Sequence, residues 1–90
     1  MRWEHGTVVL EGDFDLANQQ LIRDAIGAAV GHGAGELVID MAGVTFCDAS
    51  SMGVLVEATR LDLEVTVRRP SPSATRVLQL THVDELITID

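Results

Sequence analysis

Lysine and tyrosine are absent from this 90-residue chain, and aromatic residues make up only 3% of it. All six basic residues are arginines, and 14 residues are acidic, so the formal net charge is −8. A nucleic-acid-binding protein needs a basic surface to neutralise phosphates, and an anionic membrane surface repels an acidic protein. The composition therefore argues against nucleic acid and membrane partners, and it permits a protein partner with a basic face.

The chain has one cysteine, Cys47, which rules out an internal disulfide and is expected to pack as a small buried residue. The first residues contain no apolar run typical of a signal peptide, and no stretch reaches the ~20 apolar residues of a membrane span. Hydrophobic residues make up 47% of the chain, so the core is expected to be aliphatic. We expect one cytoplasmic domain over residues 1–90.

Apolar residues recur with the spacings of strands and helices. Runs at 8–10 and 37–39 predict buried strands, and alternation over 63–67 predicts another. The order of predicted elements is strand, strand, helix, strand, helix, strand, helix, which is typical of an α/β fold. We expect a mixed four- to five-stranded sheet with helices mainly on one face. The helical stripes are Ile22, Ala25, Ile26, Ala29 and Val30, then Met52, Leu55, Val56 and Thr59, and finally Ala74, Val77, Leu78 and Thr81.

Turn-forming residues predict the boundaries of these elements. His5-Gly6 is expected to be a turn, and residues 12–15 are expected to end the second strand. Either Asp15 or Asn18 is expected to cap the first helix. The remaining boundaries are a short connection through Gly43, a loop at 70–73 and, at 87–89, either a last strand or a loose tail.

Neither the histidines nor the glycine-rich run indicates catalysis. His5, His32 and His82 share no metal-ligand spacing with the cysteine or the acids, and no Ser–His–Asp arrangement is recognisable. The glycines at 31–35 follow a predicted helix, whereas a phosphate-binding loop follows a strand and opens a helix. We therefore expect no metal site, no cofactor and no enzymatic activity.

Two polar segments precede the first and second predicted helices. Asp13 and Asp15 come before the first, where they indicate either helix capping or contact with a partner. Ser50 and Ser51 lie at the start of the second, where serines usually cap. A helix N-terminus also tolerates a phosphate group, because free N–H groups and the positive end of the helix dipole lie there. The residues alone leave both interpretations open.

Three segments in order resemble the STAS domain family, of the anti-sigma factor antagonist type. Residues 8–26, VVLEGDFDLANQQLIRDAI, are similar to the family's opening strand and first helix. Residues 37–55, LVIDMAGVTFCDASSMGVL, resemble its central segment, in which a buried strand is followed by an apolar-Asp-x-Ser-x-x-Gly helix start. Residues 69–87 resemble its closing region. Between Val56 and Leu63 the chain looks several residues shorter than typical members.

The resemblance implies a binding switch. Such antagonists bind an anti-sigma factor that is also an ATP-dependent serine kinase, and thereby free a sigma factor; phosphorylation dissociates the complex and a phosphatase resets it. The phosphorylated serine of the family falls on Ser50, which we expect to be exposed. The implied partner-binding residues are Asp13, Asp15, Asn18, Asp48, Ser51, Met52 and Gly53.

Two alternatives remain beside the switch. STAS domains also serve as constitutive subunits of larger assemblies, including lipid-transport ATPase complexes and stress-sensing scaffolds. A small hydrolase is the other alternative, although no catalytic arrangement supports it. The apolar stripe of the second helix must face the sheet, so we expect the following residues to be buried: Val38, Ile39, Leu55 and Val56.

Overall fold

Five strands form one mixed sheet in the order β1-β2-β3-β4-β5. The computed structural model describes residues 2–4, 7–15, 18–33 and 35–90, so the predicted His5-Gly6 turn lies outside the described residues. The first two strands pair antiparallel and all later pairs are parallel, which confirms the predicted mixed α/β sheet. The strands are β1 (Arg2–Glu4), β2 (Thr7–Phe14), β3 (Glu36–Cys47), β4 (Glu64–Arg68) and β5 (Thr88–Ile89).

α-Helices and short 3₁₀ turns connect the strands. Proline favours the first turn of a helix, and the Ser71 hydroxyl accepts a hydrogen bond from the Ala74 N–H at 3.2 Å. The third helix therefore begins at Pro72, inside the predicted loop at 70–73. The helices are α1 (Gln19–Gly31), α2 (Gly53–Arg60) and α3 (Pro72–Leu80), and the 3₁₀ turns are Ala49–Met52 and Val83–Glu85.

β2 and β3 are longer than the sequence predicted. β2 continues through Gly12, whose φ of +79° suits glycine, to Phe14 instead of breaking at 12–15. β3 passes through Gly43 without a break, although a side chain there would meet the Glu11 Cγ at 3.1 Å. The prediction of a connection at Gly43 was wrong, because this glycine permits close approach of two paired strands.

The two faces of the sheet differ in burial. Val8, Ile39 and Val67 lie side by side in register and are all fully buried. Thr7 and Val38, the preceding pair, point to the opposite face and are half-buried. The prediction of burial was therefore right for Ile39 and wrong for Val38, since successive strand residues face opposite sides.

The C-terminal segment is a strand and not a loose tail. β5 pairs parallel to β4, and beyond it the Asp90 N–H donates to the Val67 carbonyl at 2.9 Å. The Arg68 guanidinium lies 3.5 Å from the Asp90 carboxylate. Nowhere in the described part of the chain is there a helix long and apolar enough to cross a membrane.

Candidate functional site

The carboxyl ends of β2 and β3 lie side by side at one edge of the sheet. Asp13 is paired with Phe46, and Phe14 is paired with Cys47. The chain then leaves the sheet through Asp15 on one strand and through Asp48 on the other. Because neighbouring parallel strands end at the same edge, the two polar segments predicted from the sequence meet there.

Asp48 organises the start of the second helix. Its backbone is extended, with φ −100° and ψ 158°, and it is the N-cap of the 3₁₀ turn that leads into α2. Its Oδ1 atom accepts from the Ser51 N–H at 2.9 Å and from the Ser50 hydroxyl at 2.9 Å. It also lies 2.7 Å from the Ser51 hydroxyl. The cap is therefore the aspartate, and both serines donate to it.

These donors stabilise the charged form of the Asp48 carboxyl. Its pKa is lowered by the hydrogen bond from the Ser51 hydroxyl, then by those from the Ser50 hydroxyl and the Ser51 N–H, which outweigh a small opposing effect of burial. The site is thus anionic at neutral pH, and its charge is coupled to the hydroxyl of Ser50.

We expect Ser50→Ala to raise the pKa of the Asp48 carboxyl, because one of its three donors is lost while the other two remain. The titration is followed by NMR of the aspartate carboxyl carbons between pH 2 and 6. Ser73→Ala is the matched control, because that hydroxyl donates to the Thr45 carbonyl instead. An Asp48 titration that is identical in Ser50→Ala and wild type contradicts this coupling.

Ser51 joins the helix start to the end of β2. It is fully buried, and its hydroxyl lies 3.0 Å from the Phe14 carbonyl oxygen as well as near Asp48. The neighbouring Met52 is 1% exposed and belongs to the core. The side chains of Ser51 and Met52 face inward and support the exposed turn from below, and their contact with a partner stays a prediction.

The loop after β2 is held by Asn18. Its side-chain oxygen accepts from the Asp15 N–H at 3.0 Å, and its amide nitrogen donates to the Asp13 carbonyl. Asp15 or Asn18 was predicted to cap the first helix. Asn18 does hold the N-cap position of α1, but its side chain makes no hydrogen bond to the helix backbone. The side chain of Asn18 instead fixes the backbone that carries Asp13 and Asp15.

Ser50 lies on the outer surface of this site. It is exposed, as predicted, together with Ala49 before it and Gly53 at the start of α2. A methyl group added at Gly53 would meet no atom within 4 Å. The surface above the helix start is therefore open to another macromolecule, and the Ser50 hydroxyl is accessible from it.

Phe46 lies beside this site with an exposure that the sequence did not predict. In a regular strand the side chains of Val44 and Phe46, two residues apart, point to the same face. Val44 is nevertheless 3% exposed and Phe46 is 52% exposed. Val44 pairs with Gly12 and Phe46 pairs with Asp13, so β3 uses two residues where β2 uses one. This β-bulge turns Phe46 outward and Cys47 inward.

The other residues considered for chemistry lie apart from one another or are buried. Burial, followed by the nearby Asp48 charge, raises the pKa of the Cys47 thiol to about 11, so the thiol stays protonated at neutral pH. His32 and His82 are exposed, and His5 lies outside the described residues. Among the described residues, no group of three or more histidines, cysteines and acids is arranged to hold a metal ion.

Comparisons with known proteins agree on the fold. The STAS_2 family model, described as "Mlab, STAS domain", matches residues 1–88. The structure of the anti-sigma factor antagonist SpoIIAA in its unphosphorylated form is similar, with a TM-score of 0.76, 20% identity, and coverage of 100% of this chain and 84% of the other. An anti-sigma factor antagonist from Mycobacterium paratuberculosis gives a TM-score of 0.72, 24% identity, and coverage of 98% and 80%. Among curated proteins, no significant match was found.

Proposed function

Because this chain belongs to the STAS domain family, we propose that it is a protein-binding module switched by phosphorylation of Ser50. In this proposal its partner is an anti-sigma factor that is also a serine kinase, and binding that partner releases a sigma factor. The chain itself catalyses no reaction and works in the cytoplasm. A phosphatase removes the phosphate and restores binding.

The observation that carries the proposal is the hydrogen bond from the exposed Ser50 hydroxyl to the Asp48 carboxylate, at 2.9 Å. Phosphoryl transfer from ATP to the Ser50 oxygen releases the hydroxyl proton and ADP, so a hydrogen-bond donor becomes an acceptor with a charge of about −2. The phosphate on Ser50 and the Asp48 carboxylate are then two anions facing each other, whereas the Ser50 hydroxyl had donated a hydrogen bond to that carboxylate. The carboxylate keeps both donors of Ser51, so the helix start survives while the surface becomes strongly repulsive.

The surface around Ser50 suits a kinase partner that this phosphate expels. Of the predicted contact residues, Asp13 and Gly53 are exposed and Asp15, Asn18 and Asp48 are half-buried. Phosphate in a protein interface disrupts binding through desolvation and through repulsion from neighbouring acids.

Phosphate mapping tests the proposal directly. The purified chain is incubated with ATP and each purified anti-sigma factor kinase encoded in the same genome, and the phosphorylated residue is located by mass spectrometry. We expect phosphate on Ser50, none on the fully buried Ser51, and none anywhere in Ser50→Ala. Ser73→Ala, which changes another serine in the first turn of a helix, is expected to be phosphorylated like wild type. Absence of phosphate with every kinase contradicts the switch.

A constitutive subunit of a larger assembly is the second candidate. It is favoured by the matching family model, whose description, "Mlab, STAS domain", names no sigma-factor regulator. In that case no kinase modifies the chain, and Ser50→Asp binds the assembly as well as wild type. The mapping experiment therefore separates the two functions.

A further inference from the structure

We propose that Phe46 is the apolar anchor of the partner interface and that it enters a pocket flanked by arginine or lysine side chains on the anti-sigma factor kinase. This inference rests on the proposed function. It adds the residue that supplies most of the binding affinity, and it adds the chemistry of the partner's pocket that receives this residue.

Phe46 is a large apolar side chain that is exposed beside the Ser50 site. The chain has three aromatic residues, of which Phe14 is fully buried in the core while Phe46 is 52% exposed at the end of the central strand. The β-bulge that turns it outward lies directly before the Asp48 cap. Bulges near functional sites commonly re-aim one side chain, and an aromatic side chain buried by a partner is a frequent hot spot of binding energy.

The charge around Phe46 specifies the partner's surface. The segments that form this edge of the sheet, residues 11–15 and 45–53, contain no basic residue, and two of their acids, Asp13 and Asp48, lie beside Phe46 in the strand pair and two residues after it. Asp13 is exposed and is the direct neighbour of Phe46 across the strand pair. A surface with an apolar centre and an acidic rim is complementary to an apolar pocket with a basic rim.

Continuity with Ser50 favours the kinase as the occupant of this surface. Phe46 and Ser50 are four residues apart, are joined through Cys47 and the Asp48 cap, and are both exposed, so one partner can cover the end of β3 and the helix start together. Phosphate on Ser50 then adds charge beside the anchor, which connects the switch to the main source of affinity.

The test compares Phe46→Thr with Leu80→Thr for binding to the kinase that binds wild type, measured by calorimetry. Threonine keeps the strand preference of position 46, and Leu80 is a matched control because it is 69% exposed at the end of α3. We expect Phe46→Thr to bind at least about 30-fold more weakly and Leu80→Thr to bind within about twofold of wild type. Circular dichroism is expected to show that both variants are folded. If Phe46→Thr does not fold, Phe46→Leu takes its place and is expected to bind the kinase about fivefold more weakly than wild type.

Raising the salt concentration tests the acidic rim. Association of wild type with the kinase is expected to slow as ionic strength rises, and Asp13→Asn is expected to reduce that dependence. If Phe46→Thr binds as tightly as wild type, the anchor is refuted while the proposed function stands. If no kinase binds wild type, the proposed function fails and the anchor fails with it. A wild-type dimer in sedimentation equilibrium that Phe46→Thr dissolves assigns the face to a second copy and also refutes the inference.

Discussion

Phosphorylation of Ser50 is expected to weaken binding of the kinase several-hundred-fold, which corresponds to ~3–4 kcal/mol. Ser50→Asp is expected to weaken it by at least about tenfold, because aspartate carries less charge than phosphate but still faces the Asp48 carboxylate. Ser50→Ala is expected to bind persistently in the presence of ATP, since it cannot accept phosphate.

Both substitutions are expected to leave the domain folded. Ser50 is exposed and is not the cap, and in either variant the Asp48 carboxylate keeps the N–H and the hydroxyl of Ser51 as donors. Removal of one exposed hydrogen bond costs about 1 kcal/mol or less. The loss of binding by Ser50→Asp therefore reflects the interface and not unfolding.

The measurement is a pull-down of the kinase with each variant in the presence and absence of ATP, with circular dichroism as a check on folding. Gln79→Glu serves as the control, because it adds the same charge at an exposed position near the end of α3 instead of beside the Asp48 cap. The switch is ruled out if Ser50→Ala, Ser50→Asp and wild type bind alike and ATP changes none of them.

Leu55→Ala is expected to destabilise the domain by ~2–5 kcal/mol, the range for leucine-to-alanine changes in a core. Leu55 is fully buried on α2, the helix that begins at the Ser50 site. A small domain has roughly 5–15 kcal/mol of total stability, so this change removes a large share of it. The melting temperature is expected to fall by at least about 10 °C.

Val56→Ala is the control for this experiment. Val56 follows Leu55 on the same helix but is only half-buried, so its loss is expected to cost about 1 kcal/mol or less. The sequence predicted burial at both positions, which the structure confirms for Leu55 and corrects for Val56. Equal shifts of the melting temperature in the two variants, measured by calorimetry, are inconsistent with Leu55 being buried in the core and Val56 being only half-buried.

The order of strands and helices and the two polar segments of the site followed from the sequence. Apolar spacing is a local property, so runs such as 37–39 and the stripe through Ile22 and Ile26 indicate their own secondary structure. Alternation of strands and helices then restricts the sheet to mostly parallel pairing, and that pairing brings the ends of β2 and β3 together.

The exposure of Ser50 was predicted from the sequence, but only the tertiary structure showed how the side chains next to it are oriented. Ser50 and Ser51 are chemically identical neighbours, yet one is exposed and the other is fully buried against the Phe14 carbonyl of another strand. Phe46 faces outward because β3 bulges against β2 beside Asp13. Both outcomes depend on the register between segments more than 30 residues apart, and the local periodicity of the sequence carries no information about that register.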